Sequence, residues 1–129
     1  MLNQEAYSSY HSVNLDAQTA RASPVELVLV LTDGLLEELA RARGHIIGKR
    51  YEQKANSLNK CTDIINGLSS SLDFDNGGEV VANLGRLYEY CAGRLYTAGV
   101  AMDPALVDEV TTLLTTIKQG WLGVQAKNG

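Results

Sequence analysis

The 129-residue chain is predicted to be all-α, an antiparallel four-helix bundle preceded by a mobile N-terminal arm. Three observations carry this expectation. Apolar residues recur at intervals of three and four through four long stretches, and no stretch shows the period of two that a half-buried strand needs. Short turn sequences separate the stretches, the strongest being Asp73-Phe74-Asp75-Asn76-Gly77-Gly78, and short connections make consecutive helices antiparallel neighbours. Both prolines, Pro24 and Pro104, directly follow a good capping residue, Ser23 and Asp103, so each suits the first position of a helix.

Residues 1–22 carry Tyr7, Tyr10, Val13 and Leu15 among Ser, Asn, Gln and Ala. Tyr7, Tyr10 and Val13 would lie loosely along one side of a short helix, and the segment reads as an arm that docks only part of the time. The packed domain is expected over 23–125, with 126–129 as a tail. Ser23 opens it, and Glu26, three residues later, completes a capping box. Helix 1 is expected over 24–47. Its inner stripe is Val28, Leu31, Leu35, Leu39, Ala42 and Ile46, and Leu29, Leu36, Ala40 and Ile47 form a second stripe beside it. Gly48 is a stop signal, and Lys49 and Arg50 suit the negative end of the helix.

Helix 2, about 51–72, repeats the pattern at Leu58, Cys61, Ile65, Leu68 and Leu72. Helix 3, about 78–98, carries Val80, Leu84, Leu87, Cys91, Leu95 and Ala98, and Gly99 to Met102 form the next connection. Helix 4, about 104–124, lines its inner face with Leu106, Val110, Leu113, Ile117, Trp121 and Val124. Cys61 and Cys91 each lie 15 residues from Asn76, so a turn centred there sets them at one height on neighbouring helices, as small core residues. Gly34, Gly67, Gly85, Gly93, Gly120 and Gly123 fall inside or near the ends of these helices, where each costs about 1 kcal/mol relative to alanine. Two explanations stand: a loosely stable bundle, or places where another helix approaches closely, the latter favoured at Gly34, Gly85 and Gly93.

Composition narrows the function. A formal charge of −4, with Arg41-Ala42-Arg43 and Lys49-Arg50 as the only tight basic clusters, argues against nucleic acid as a partner. No apolar run approaches the roughly 18 residues of a membrane span, so no membrane insertion is expected. The start has neither a basic nor an apolar leader region, which points to the cytoplasm and to reduced cysteines.

Catalytic chemistry is not expected, and neither is a cofactor or a metal. His11 and His45 have no Glu three residues before them, as carboxylate-bridged di-iron bundles require, and the two Cys and two His lack zinc spacing. A histidine phosphotransfer domain is also a four-helix bundle, but His45 stands beside a helix stop without that family's motif. Asp33, between Leu31 and Leu35, is a candidate buried carboxylate, and Arg94 or a tyrosine hydroxyl would supply its partner in an internal polar tie.

Several motifs then combine. They are Ala22-Ser23-Pro24-Val25-Glu26-Leu27-Val28, Leu31-Thr32-Asp33-Gly34, Asp63-Ile64-Ile65, Leu72-Asp73, Gly77-Gly78-Glu79, Asn83-Leu84, Leu87-Tyr88-Glu89-Tyr90, Arg94-Leu95, Glu109-Val110, Leu113-Leu114 and Trp121. In order and spacing they resemble the flagellar secretion chaperone FliS family over about 10–125. Two departures are Thr32, where the family usually has an aromatic, and Cys91-Ala92-Gly93, where it has bulkier or basic residues. The resemblance implies a bundle that binds the disordered C-terminal segment of flagellin in the cytoplasm, prevents premature polymerisation and supports delivery to the flagellar type III export apparatus. The export-gate protein is a further candidate partner. An amphipathic segment can bury its apolar faces by wrapping such a bundle. The resemblance also implies an arm that covers part of this surface, for which Tyr7, Tyr10 and Val13 have the right character. Since the inner stripe is used by the core, the groove candidates are the second-stripe residues Leu36, Ala40, Ile47, Ile64, Val81 and Tyr88. The alternative is a generic helical adaptor or bundle subunit with no export role.

Overall fold

The computed structural model describes residues 23–128. Residues 1–22, with the expected arm and its Tyr7, Tyr10 and Val13, lie outside the described residues. Four helices follow in chain order: α1 (Pro24–Ile47), α2 (Tyr51–Ser70), α3 (Gly78–Ala101) and α4 (Pro104–Asn128). Each packs on its chain neighbours, and α4 closes the ring against α1. The result is the antiparallel four-helix bundle that the periodicity predicts.

The caps explain the starts. Ser23 Oγ accepts from the Glu26 backbone N–H at 3.1 Å with Pro24 in the first turn, and Asp103 Oδ1 accepts from the Ala105 N–H at 2.9 Å. Each hydroxyl or carboxylate satisfies a backbone donor that the first helical turn leaves without an intrahelical acceptor. The ends differ more from expectation. Gly48 keeps a helical φ of −79°, and Lys49 takes the left-handed conformation instead, at φ 53°. Helix α3 runs through Gly99 to Ala101 and stops at Met102, which is left-handed at φ 52°. Gly99 is inside the helix because α2 needs the room: a Cβ there would come within 2.8 Å of Leu58 Cδ1. Helix α4 continues to Asn128, since Gly120 and Gly123 alone do not end a helix whose carbonyls still find donors.

The core is Val28, Leu35, Leu39, Ala42 and Ile46 of α1, Leu58, Cys61, Ile65 and Leu68 of α2, and Tyr88, Cys91, Leu95 and Ala98 of α3, with Val107, Val110 and Leu114 of α4. On α1 and α2 this is the expected inner stripe, with Leu31 and Leu72 half-buried at its edge. On α3 the expected Cys91, Leu95 and Ala98 are buried, but N-terminal to them Tyr88 stands on the inner line in place of Leu87. On α4 the expected Val110 is joined by Val107 and Leu114 in place of Leu106 and Leu113. Tyr88 is 1% exposed, whereas Val80 is 70% exposed and Leu87 reaches solvent. Val107 and Leu114 are buried, while Leu106, Leu113, Ile117 and Trp121 pack only partly against the core and Val124 is exposed. Adjacent apolar stripes on one helix have the same period. Which of them faces inward is set by where the neighbouring helices stand.

Three polar side chains, Thr32, Glu38 and Ser57, complete the interior among the described residues. Thr32 is buried and its Oγ1 donates to the Val28 carbonyl at 2.7 Å. Glu38 is buried between Leu35 and Ala42. Its Oε2 accepts from Ser57 Oγ across the α1–α2 seam and its Oε1 accepts from Arg41 at 3.1 Å. Burial works against ionisation of Glu38, but the hydrogen bonds from Arg41 and Ser57 outweigh it and hold the carboxyl below its usual range. Sequence reading missed this pair; the signal was a carboxylate within the inner stripe facing a helix that offers a small hydroxyl.

Candidate functional site

The accessible apolar surface gathers around α3. Val80, Tyr96 and Val100 are each at least 70% exposed, and Leu87 and Tyr90 also reach solvent. Monomeric proteins tolerate single exposed apolar side chains, but a series of them on one helix marks a surface for a partner. An open cleft lies on either side of this helix.

The α3–α4 cleft holds about 540 Å³ between Leu87, Tyr90, Leu113, Thr112 and Glu109. Its one carboxylate is compensated from α3. Arg94 Nε donates to Glu109 Oε1 at 2.6 Å, the Tyr90 hydroxyl donates to Oε2 at 3.0 Å, and the Arg94 guanidinium stands 5.8 Å from the centre of the Tyr90 ring. The hydrogen bond from Arg94, then that from Tyr90, keeps the Glu109 carboxyl below its usual pKa, and the same bond to Glu109 raises Tyr90. With its charge paired, Glu109 pins the aromatic ring at the cleft mouth and leaves Leu87 and Leu113 as the contact surface. These side chains are partly exposed, so the ion pair orients more than it stabilises.

The α2–α3 cleft holds about 490 Å³. It exists because α3 turns its smallest residues toward α2: Ala82, Gly85 and Ala92 leave a gap that Ile65 and Tyr88 floor. Asn66, Ser69, Arg86 and Glu89 edge it, and Phe74 from the α2–α3 loop stands at its mouth. Below it, Cys61 and Cys91 are fully buried, and burial pushes their thiols up to about 12 and about 11. Neither thiolate is populated near neutral pH, so the pair is inert packing.

The groove candidates from the sequence fall in several places. Tyr88 is a core residue whose ring walls the α2–α3 cleft. Leu36 and Ile64 pack partly against the core, Val81 is half-buried, Ala40 is exposed and Ile47 is 56% exposed. Leu36, Ala40 and Ile47 share a helical stripe with Asp33 and Arg43. Those two residues bind Lys118 and Asp108 of α4, each at 2.7 Å, so this stripe borders the α1–α4 seam, away from both clefts. The expected Asp33–Arg94 tie does not form. α1 and α3 occupy opposite corners of the ring, Asp33 is exposed and paired with Lys118, and Arg94 is taken by Glu109. Leu87 and Leu113, assigned to the inner stripes from sequence, are cleft residues instead, and Tyr90, Phe74 and Ala82 complete what sequence reading missed.

His45 is occupied structurally: its Nδ1 accepts from Arg50 Nε at 3.0 Å and ties the α1–α2 turn. Among the described residues no three His, Cys, Asp or Glu side chains converge on a metal-sized site, and no helix is long and apolar enough to cross a membrane.

Fold and clefts together define a small helical-bundle protein that displays open apolar clefts along one helix. The chain belongs to the FliS family: the family described as "Flagellar protein FliS" matches residues 6–128. It is 40% identical to the flagellar secretion chaperone FliSB of Pseudomonas aeruginosa over 96% of this chain and 98% of that protein. It is 34% identical to the flagellar secretion chaperone FliS of Salmonella typhimurium over 98% of this chain and 95% of that protein. The same-named protein of Bacillus subtilis is 29% identical, with 94% and 86% covered.

Proposed function

We infer that this chain is a flagellar secretion chaperone whose client is flagellin, held through its disordered C-terminal segment. The observation that carries the reading is near full-length membership of the family, with relatives named for this function. The geometry supports it: two open clefts beside α3, one of them lined by Leu87, Tyr90 and Leu113, suit an amphipathic segment that folds as it wraps the bundle, and exposed Tyr96 and Val100 lie further along the same helix. The work is binding, without catalysis. In the cytoplasm the bound segment is masked against polymerisation until export, and the export-gate protein receives the complex. Leu36, Ala40 and Ile47 offer a further stripe to a segment long enough to pass from one seam to the next, with Ile64, Val81 and Tyr88 contributing on α2 and α3.

The leading arm, 1–22, competes for this surface through Tyr7, Tyr10 and Val13, apolar residues in a mostly polar leader. Calorimetric titration with the C-terminal segment of flagellin from the same organism tests the whole reading. One-to-one binding with a negative heat-capacity change is expected, the signature of apolar burial coupled to folding. Deleting residues 1–16 is expected to tighten it. Absence of binding to both the segment and full-length flagellin would remove flagellin as the client, and unchanged affinity after the deletion would remove the arm as competitor.

A further inference from the structure

Phe74 is the single phenylalanine of the chain, and it sits in the α2–α3 loop with 58% of its surface exposed. It is nevertheless seated. A Cβ added at Gly85 would meet Phe74 Cε1 at 3.0 Å and Cζ at 3.2 Å, so the ring edge rests on the bare backbone of α3 where Gly85 offers no side chain. That place is the mouth of the α2–α3 cleft. The loop does not need the ring there for its own shape. Asp73 accepts from the Asn76 backbone N–H at 3.3 Å and from its side-chain amide at 2.9 Å, and the Gly77 N–H donates to the Asp73 carbonyl at 2.9 Å. A loop held by its own hydrogen bonds, with a large apolar side chain lying in an apolar cleft, can release that side chain by a change of rotamer alone.

We propose that Phe74 is an internal placeholder for the α2–α3 cleft. In the free chain its ring covers the apolar floor at Gly85. When a client segment binds, an apolar side chain of the client takes that place and the ring swings out over the loop. This rests on the client-binding reading and adds its regulation: the client meets a cleft whose mouth is partly covered by a weakly held side chain. The cover keeps apolar surface from water in the unloaded chaperone. Because more than half of the Phe74 residue is already exposed, little contact is lost on displacement, so client entry remains favourable. A cleft that is open only a fraction of the time lowers apparent affinity by that fraction.

Two measurements on the full chain test it. In the first, the flagellin C-terminal segment is titrated into the parent and into Phe74→Ala. Tightening by about three- to tenfold is expected, the correction for a cleft open roughly a tenth to a third of the time. Unchanged or weaker binding by Phe74→Ala would overturn the placeholder, the weaker case making Phe74 a client contact instead. The second measurement needs no client. Ser69→Cys places a thiol on the cleft edge, while Cys61 and Cys91 are fully buried and label slowly. Maleimide labelling of Ser69→Cys is expected to speed up several-fold when combined with Phe74→Ala. Equal rates in the two would overturn the proposal. If the parent ignored flagellin, the function above would fall while the labelling rates still decided whether Phe74 covers the cleft.

Discussion

Replacing Gly93 by alanine is expected to stabilise the chain, and the same change at Gly99 is expected not to, although both glycines lie in α3. Around Gly93 nothing stands within 4 Å of the position a Cβ would take. The substitution therefore gains the helix propensity difference, about 1 kcal/mol, and meets no opposing contact. For a domain of this size that is a rise in Tm of roughly 3–5 °C. At Gly99 the new Cβ would come within 2.8 Å of Leu58 Cδ1, and Leu58 belongs to the core. Overpacking of that kind costs about 1–3 kcal/mol, which cancels or exceeds the propensity gain. The two variants should therefore differ by roughly 1–3 kcal/mol, with Gly93→Ala the more stable. Urea unfolding followed by circular dichroism at 222 nm measures both, with an unchanged m-value as the control that the unfolded state is the same. If Gly99→Ala were as stabilising as Gly93→Ala, α2 and α3 would not approach closely at that height. If Gly93→Ala destabilised the chain, its outward face would not be open. The outcome bears on all the helix glycines. Gly34, Gly67, Gly120 and Gly123 resemble Gly93 in having open space, so they reflect modest stability and not close helix packing.

Glu38→Gln keeps the shape of the buried side chain and removes its charge, so it is expected to destabilise the bundle by about 1–2 kcal/mol at pH 7 through weaker hydrogen bonds to Ser57 and Arg41. Because the folded-state pKa of Glu38 lies below the ordinary 4.5, its contribution is present above that value and lost as pH falls through the folded pKa. The gap between parent and variant in urea midpoints should therefore narrow below pH 4.5, and a gap that stays constant would show that the charge is not what matters. Leu87→Asp places a charge on the partly exposed floor of the α3–α4 cleft and is expected to weaken flagellin-segment binding at least fivefold, about 1 kcal/mol, with unfolding little changed. Calorimetry on the variant would contradict the cleft's role if affinity were retained.

Much of this molecule was legible in its sequence. Ser23-Pro24 and Asp103-Pro104 mark helix starts through chemistry local to a few residues, because a cap needs only a side-chain oxygen at the right offset from free backbone N–H groups. The stripe of α2 was readable because polar residues flank it, and on α1 the buried line also follows the expected residues although a second apolar stripe lies beside it. On α3 the sequence offers Leu84-Leu87-Cys91 and Tyr88-Cys91-Leu95 as overlapping stripes about one residue apart. Nothing local chooses between them, so Tyr88 was assigned to the surface stripe and Leu87 to the core.

The clefts illustrate the same boundary. Small residues at Ala82, Gly85 and Ala92 are visible in the chain, but whether they admit a tight helix contact or leave a gap depends on how far α2 stands away. The partner of Asp33 was likewise unreadable, because the order of helices around the ring puts Lys118 beside it and Arg94 across the core. Sequence by itself determined the number of helices, their caps, their antiparallel order and, through its motifs, the family. Only the tertiary structure decided the rotation of α3 and α4, the pairing of charges between seams and the seating of Phe74 over Gly85. The physical reason is that periodicity and capping are interactions within a turn or two of one helix. Rotation, cleft width and ion pairing depend on distances between helices, which are set by all the packed side chains at once.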